Sequence, residues 1–197
     1  MTQVILASTS AVRRELLAGA GLAFTAVGSG VDEEAVKARM LADGARPRAI
    51  AEALAAIKAE QVSRDFDGLV IGADQTLDLD GTLFDKVVDI EAARERLLRL
   101  RGRTHQLHAG VAVAQAGAVV WMQTVSASLT VRAFSDGFLD TYLARNGEAA
   151  LTSVGCYHLE GEGVQLFEKV EGDYFAILGL PLQGLLDLFR ARGVLAA

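Results

Sequence analysis

Hydrophobic and polar positions along the chain switch repeatedly between the two-residue spacing of a strand and the wider spacing of a helix. Val4 to Ala7 is a short apolar run that reads as a first strand, and Ser8-Thr9-Ser10 then opens a helical pattern, AVRRELLAGAG, which Gly21 ends. Phe24 to Val27 reads as a second strand, and Gly28, Ser29 and Gly30 loosen the chain before Val31-Asp32-Glu33-Glu34. Asp43 to Arg48 is a polar connection with Pro47 at the first turn of a helix whose buried face carries Ile50, Leu54 and Ile57. The stretch LVIGADQTLDLDGTLFDK, Leu69 to Lys86, organises the centre of the chain. Its apolar start predicts a buried strand that delivers Asp74 and Gln75 to its C-terminal end. Leu77 and Leu79 alternate with Asp78, Asp80-Gly81 is a two-residue hairpin turn, and the return strand ends at Asp85-Lys86, which brings Lys86 within reach of Asp74.

Further on, Asp89 caps a helix through Arg101, with Ala92, Ala93, Leu97 and Leu100 facing inward and Arg94, Glu95, Arg96 and Arg99 on a solvated face. Leu107 to Ala114 and Ala118 to Arg132 predict a β-ribbon that turns at Ala116-Gly117. Ser135 caps a helix carrying Phe138, Leu139, Tyr142 and Leu143, and a glycine-rich loop runs from Gly155 to Gly172. Tyr174 to Leu178 reads as a last strand, and Gly179-Leu180-Pro181 leads into a C-terminal helix stopped by Gly193. Strands and helices intermingle without an internal repeat, so the reading is a single mixed α/β domain over residues 1–197.

Composition narrows the function. With 197 residues, 51% of them apolar and 22% charged, the chain can bury one substantial core or two lobes around a cleft. A formal charge of −6 supplies no general basic surface for a nucleic-acid backbone, although a small anion needs only a few local cations. The lone Cys156 excludes an internal disulfide framework and fits a reducing compartment. The longest nearly apolar stretch, Gly110 to Met122, is interrupted by Gln115 and too short to cross a bilayer, and the N-terminus lacks a basic leader, so the expected location is the cytoplasm.

Several side chains carry candidate chemistry. Ser8, Ser10 and Arg13 lie where a strand meets a helix start, a place that can hold phosphate oxygens; taken alone, the segment reads more simply as a cap beside a solvated arginine. The acids around Glu33 are a solvated turn or half of a metal site. Lys58 borders the apolar face of its helix, either snorkelling to water or pointing into a cleft. Asp74 can bind a metal or take a proton, and Lys86 beside it suits a phosphorylated substrate. A zinc site from His105, His108 and His158 is disfavoured because His105 and His108, three apart on a strand, point to opposite faces. Cys156 has no identifiable partner that would make it a nucleophile.

Taken together, ILASTSAVRRELL, the VDE ending at Glu33, Lys58-Ala59, IGADQTLDLDG with the later Lys86, and EGDYFAILGLPL resemble the Maf family of nucleoside triphosphate pyrophosphatases over nearly the full chain. That resemblance implies a mixed twisted sheet in two lobes around a central cleft, related in architecture to the inosine triphosphate pyrophosphatases, and a homodimer. It implies hydrolysis of a nucleoside triphosphate to the monophosphate and pyrophosphate with a divalent cation, Mg²⁺ or Mn²⁺, removing modified or surplus nucleotides. The family's proton acceptor falls on Asp74, its phosphate contacts on Ser8, Ser10 and Arg13, its acidic residue on Glu33, and its cleft lysines on Lys58 and Lys86. Glu33 and Asp74 are the candidate metal ligands.

Asp74-Gln75 and Glu160-Gly161 resemble the branch acting on 7-methyl-GTP; the branch acting on dTTP and UTP has Asp-Thr and Gln-Gly there. An acceptor at Glu160 suits the N–H donors of guanine. The chain departs from the family pattern at Ala11-Val12, where Val12 replaces an aromatic or basic residue, at Asp85-Lys86-Val87 in place of Gly-Lys-Pro, and at Ala109. A different class, a nucleotide-binding regulator of septum formation without turnover, is the alternative.

Overall fold

The computed structural model describes residues 2–196. Its strands are β1 (Val4–Ala7), β2 (Thr25–Val27), β3 (Leu69–Leu79), β4 (Thr82–Phe84), β5 (Thr104–Gln115), β6 (Ala118–Val131) and β7 (Phe167–Glu171). The helices are α1 (Ala11–Gly19), α2 (Glu33–Ala42), α3 (Pro47–Val62), α4 (Ile90–Leu100), α5 (Asp136–Asn146), α6 (Tyr174–Ile177) and α7 (Leu182–Ala191). One mixed sheet runs β2-β1-β3-β5-β6-β7, with β4 paired to the far half of β3. Strand β1 lies parallel to β2 and β3, while the β3–β4, β3–β5, β5–β6 and β6–β7 pairs are antiparallel.

The long strands β3 and β5 cross two separate hydrophobic cores. Ile71, Ala73, Val111 and Val113 pack with Leu6, Leu17, Leu185 and Phe189 of β1, α1 and α7. Leu77 and Leu107 instead join Leu97, Leu139, Tyr142 and Leu166. Between them β3 changes core at Asp74-Gln75, so the polar pair sits at the waist of the molecule. This is the expected two-lobed α/β architecture.

Helix α3 lies unusually close to the sheet because the facing surfaces are small. A Cβ placed on Gly72 would sit 2.2 Å from the Ala55 carbonyl oxygen and 2.5 Å from the Ala59 nitrogen; one on Gly110 would sit 2.6 Å from the Ala51 carbonyl oxygen. Only glycine admits that approach. Asp74 follows Gly72 on the same face of β3, and Gly110 is its partner on β5, so the helix that carries Lys58 is brought down directly over Asp74.

Local signals held where they were self-contained. Asp80 and Gly81 have φ of 54° and 83°, and Ala116 and Gly117 have 51° and 81°, the positive pair that a tight hairpin turn requires. Ser10, Asp89 and Ser135 each cap their helix by accepting a backbone N–H.

Four expectations are corrected. Tyr174 to Leu178 is not a strand: Asp173 accepts from the Ala176 N–H at 2.7 Å and starts the short helix α6. An apolar run of that length fits either period, and the cap decides it. The last strand is β7, inside the span read as a loop; its FEKVE sequence is mostly exposed and shows no buried face. Asp74 is not at a strand end, because β3 continues to Leu79; it lies instead beyond the C-terminal end of β1, whose last β3 partner is Ile71. Arg96 is not on a solvated face: its Nη1 donates to the carbonyls of Asp85, at 2.7 Å, and Val154.

Candidate active site

The waist opens into a cleft of about 1100 Å³ lined by residues from the β1–α1 turn, α2, α3, β3, the segment after β4, residues 152–160 and the end of α6. Ser8, Ser10, Val12, Arg13, Glu33, Lys58, Asp74, Gln75, Lys86 and Glu160 all line it. The sequence places every one of these far from most of the others, and the fold brings them to one concavity.

At one wall, the β1–α1 turn is built around Arg13. The Ser8 hydroxyl accepts from the Ser10 N–H at 3.2 Å and from Arg13 Nη1 at 3.4 Å, and the Ser10 hydroxyl accepts from the Arg13 N–H at 3.4 Å. Arg13 is not solvated: Nε donates to the Gly179 carbonyl at 2.8 Å and Nη1 to the Ala73 carbonyl at 2.9 Å. Burial pushes the guanidinium pKa down while the charges of Asp74 and Glu33 push it back up. A guanidinium fixed on two backbone carbonyls is oriented before any ligand arrives.

At the floor, the Lys58 ammonium lies 2.6 Å from Asp74 Oδ1 and 2.8 Å from Glu33 Oε1. Glu33 reaches it because Asp32 accepts from the Ala35 N–H at 3.0 Å and starts α2 there. The acids are thus neither a simple solvated turn nor a lone cluster. Asp74 is 6% exposed. Burial raises its pKa above the usual carboxylate value, helped by Glu33 and opposed by Lys58 and Arg13. The ammonium bonded to Asp74 is therefore that of Lys58 rather than Lys86: β4 stops at Phe84, and Lys86 stands exposed on the cleft wall.

Two carboxylates converging on one cationic point fit a hard divalent cation, which takes one or two carboxylates and completes its shell with substrate phosphates and water. Among the described residues no group of three or more His, Cys, Asp or Glu side chains is arranged to hold a metal. The donor set thus suits a cation that arrives with a phosphorylated ligand.

Gln75 points to the other side of β3, where its Nε2 donates to the carbonyls of Ala176 and Ile177, both at 2.9 Å. Its amide N–H groups are spent on α6, which leaves Oε1 as the acceptor it can offer. Glu160 lies 3.4 Å from His158 Nδ1, and His158 Nε2 bonds Thr152 and the Ala149 carbonyl. The histidines do not converge: His105 bonds the Tyr157 hydroxyl at 2.6 Å, whereas His108 bonds Ser126 at 2.7 Å and faces Asp78 at 3.4 Å. Cys156 is buried, and burial pushes its thiol up to about 11, so it is held as the unreactive thiol.

Sequence reasoning did not name Lys37, and it named Asp85 only as a strand end and a departure from the family pattern; both also line the cleft and bond each other at 2.6 Å. For Lys37 the advance signal was the four-residue spacing from Glu33, which puts both on one side of a helix.

Known proteins resemble the chain over nearly its full length. A family model described as Maf-like protein matches residues 3–192. The chain is 59% identical over 195 residues to a nucleoside triphosphate pyrophosphatase of Caulobacter vibrioides, covering 99% of this chain and 98% of that protein. It is 50% identical over 195 residues to a 7-methyl-GTP pyrophosphatase of Rhizobium meliloti, covering 98% of each. A nucleoside triphosphate pyrophosphatase of Paramagnetospirillum magneticum is 52% identical over 192 residues, covering 97% of this chain and 99% of that protein. Among the described residues no helix is long and apolar enough to cross a membrane. With its cleft built from the segments that carried the resemblance, the chain belongs to the Maf family.

Proposed function

We propose that the chain hydrolyses a nucleoside triphosphate to the monophosphate and pyrophosphate, with 7-methyl-GTP or another modified nucleotide as the preferred substrate. The observation that carries this reading is the Asp74–Lys58–Glu33 triad on the cleft floor beside the fixed guanidinium of Arg13. Relatives of about half to three-fifths identity bear pyrophosphatase names, which supports the same reaction.

A bound triphosphate carries about four negative charges, which Arg13, Lys58, Lys86 and the hydroxyls of Ser8 and Ser10 bind and orient. Asp74 accepts a proton from the water that attacks the α-phosphorus; one P–O bond forms, the bond to the β-phosphate oxygen breaks, and pyrophosphate departs. Oδ1 of Asp74 is engaged by Lys58, so Oδ2 is the oxygen left for either role, taking that proton or meeting a cation. Glu33 and Asp74 would hold Mg²⁺ or Mn²⁺, which supplies charge neutralisation on the phosphoryl oxygens. Gln75 Oε1 and Glu160 supply acceptors for a guanine edge, while Val12 supplies apolar contact without an aromatic face to stack on a methylated base. Family membership favours a homodimer working in the cytoplasm on a small nucleotide rather than on nucleic acid, and light scattering reads the assembly.

Pyrophosphate release from 7-methyl-GTP, GTP, dTTP, UTP and CTP, each with Mg²⁺ or Mn²⁺, tests the reading. A kcat/KM for 7-methyl-GTP about tenfold above the rest, roughly 1.4 kcal/mol of discrimination, is the expected result. A lead for dTTP and UTP would remove the base assignment and leave the reaction. Nucleotide binding without turnover would make the chain a sensor.

A further inference from the structure

The edge of the cleft carries an ion pair that the reaction as described does not use. Lys37, four residues beyond Glu33 on α2, places Nζ 2.6 Å from Asp85 Oδ1 and 2.8 Å from Glu34 Oε1. The Lys37 side chain is only 12% exposed, against 42% for Asp85 and 80% for Glu34. Burial alone would lower the ammonium pKa, but the hydrogen bonds and charges of the two carboxylates outweigh it, so the group stays charged. Asp85 is held from its other side as well. Arg96 Nη1 on α4 donates to the Asp85 carbonyl at 2.7 Å and to the carbonyl of Val154, and its guanidinium lies 4.5 Å from the centre of the Phe84 ring. Its side chain tied to α2 and its backbone tied to α4, Asp85 is a fixed point directly before Lys86.

We propose that the Lys37–Asp85 pair is a positioning device that sets Lys86 against the triphosphate. The proposal rests on the pyrophosphatase reading above. Neither residue acts on substrate; both act through Lys86, whose exposed side chain follows β4 outside any ladder and has no strand geometry of its own to aim it. The pair also makes an acid tolerable at an anion-binding edge, because Lys37 neutralises Asp85 while Asp85 does the positioning.

The sign of the effect separates this from simple electrostatics. Removing a negative charge from the rim of an anion site would tighten substrate binding. If Asp85 positions Lys86, its loss weakens binding instead. The test compares wild type with Asp85→Ala, Lys37→Met, the double variant and the conservative Asp85→Glu, reading KM and kcat for the best nucleotide of the panel and the rate of trypsin cleavage after Lys86 in the free protein. Expected are KM values about five- to tenfold higher in each single variant with kcat changed less than about threefold, no further loss in the double variant, and recovery in Asp85→Glu. Cleavage after Lys86 should quicken by about fivefold or more in Asp85→Ala and Lys37→Met, because the segment opens more often. A lower KM in Asp85→Ala overturns the proposal, as do multiplying losses in the double variant, which would mean that Lys37 touches substrate directly. Faster cleavage in a protein that releases no pyrophosphate would keep the positioned segment and sink the pyrophosphatase reading; turnover with unchanged KM and cleavage would do the reverse.

Discussion

Asp74 concentrates the conflict in this molecule, since the burial that raises its affinity for a proton also makes its charge costly. Its folded-state pKa is raised, chiefly by desolvation, so the folded protein holds that proton more tightly than the unfolded chain does. Ionised Asp74 therefore subtracts stability above its folded pKa, and the penalty vanishes below the unfolded value. Asp74→Asn is expected to lose about 10²- to 10⁴-fold in kcat as a missing general base, while its melting temperature at neutral pH is unchanged or higher. Calorimetry beside a turnover assay reads both, and a large drop in melting temperature would count against it. Because the proposed base must be ionised, kcat/KM is expected to fall on the acid side of its profile, and Lys58→Met to move that limb to higher pH by removing the main opposing charge. At this scale the sequence was informative about residue types and uninformative about pairing. Lys58 and Lys86 were both assigned to the cleft, but which of them touches Asp74 depends on how closely α3 approaches the sheet. Lys37 and Asp85, 48 residues apart, had nothing local to connect them.

The element that fixes the site is α3, and its position is set by two glycines on the opposing strands. A methyl group on Gly72 would meet main-chain atoms of Ala55 and Ala59, so neither rotamer change nor a smaller helix residue relieves it. Gly72→Ala should cost about 3 kcal/mol or more by overpacking, and it should lower kcat/KM as Lys58 is lifted from Asp74. Adding Ala55→Gly should restore neither, because the clash is with backbone; urea denaturation and turnover on the same preparations check this, and rescue would refute the packing argument. Legibility at this scale follows how local the signal is. Hairpins at Asp80-Gly81 and Ala116-Gly117, and caps at Ser10, Asp89 and Ser135, were readable because a few adjacent residues determine them. Helix α2 buries no residue and so shows no apolar stripe, β7 is a largely exposed edge strand, and α6 is too short for periodicity to tell helix from strand.

Across the whole molecule, two cores are joined by β3 and β5, and the cleft lies where those strands pass from one core to the other. The two-lobed α/β class was readable from the order of elements and from the resemblance they carry, whereas the waist was not, since no residue pattern marks where one core gives way to the next. The joint depends on buried polar groups as well. His105 on β5 is 1% exposed, its Nε2 shares a hydrogen bond with the Tyr157 hydroxyl, and Tyr157 lines the cleft. Burial pushes Tyr157 well above the usual phenol value, which keeps its hydroxyl protonated, and lowers His105 to about 4. Its Nδ1 has no partner among the described residues, so the imidazolium, which carries a proton on both ring nitrogens, would hold one N–H buried without an acceptor. Between the ordinary histidine value of 6.5 and about 4, the unfolded chain takes up a proton that the folded protein refuses. Stability therefore falls as pH drops through that window, by about 3 kcal/mol from this residue alone, and is fully retained above it. Substituting His105→Gln removes the titration, so unfolding free energies of wild type and variant, measured in urea from pH 7.5 to 4, should converge as the solution is acidified. Parallel curves would mean that His105 is protonated in the fold and that its bond to Tyr157 is of another kind.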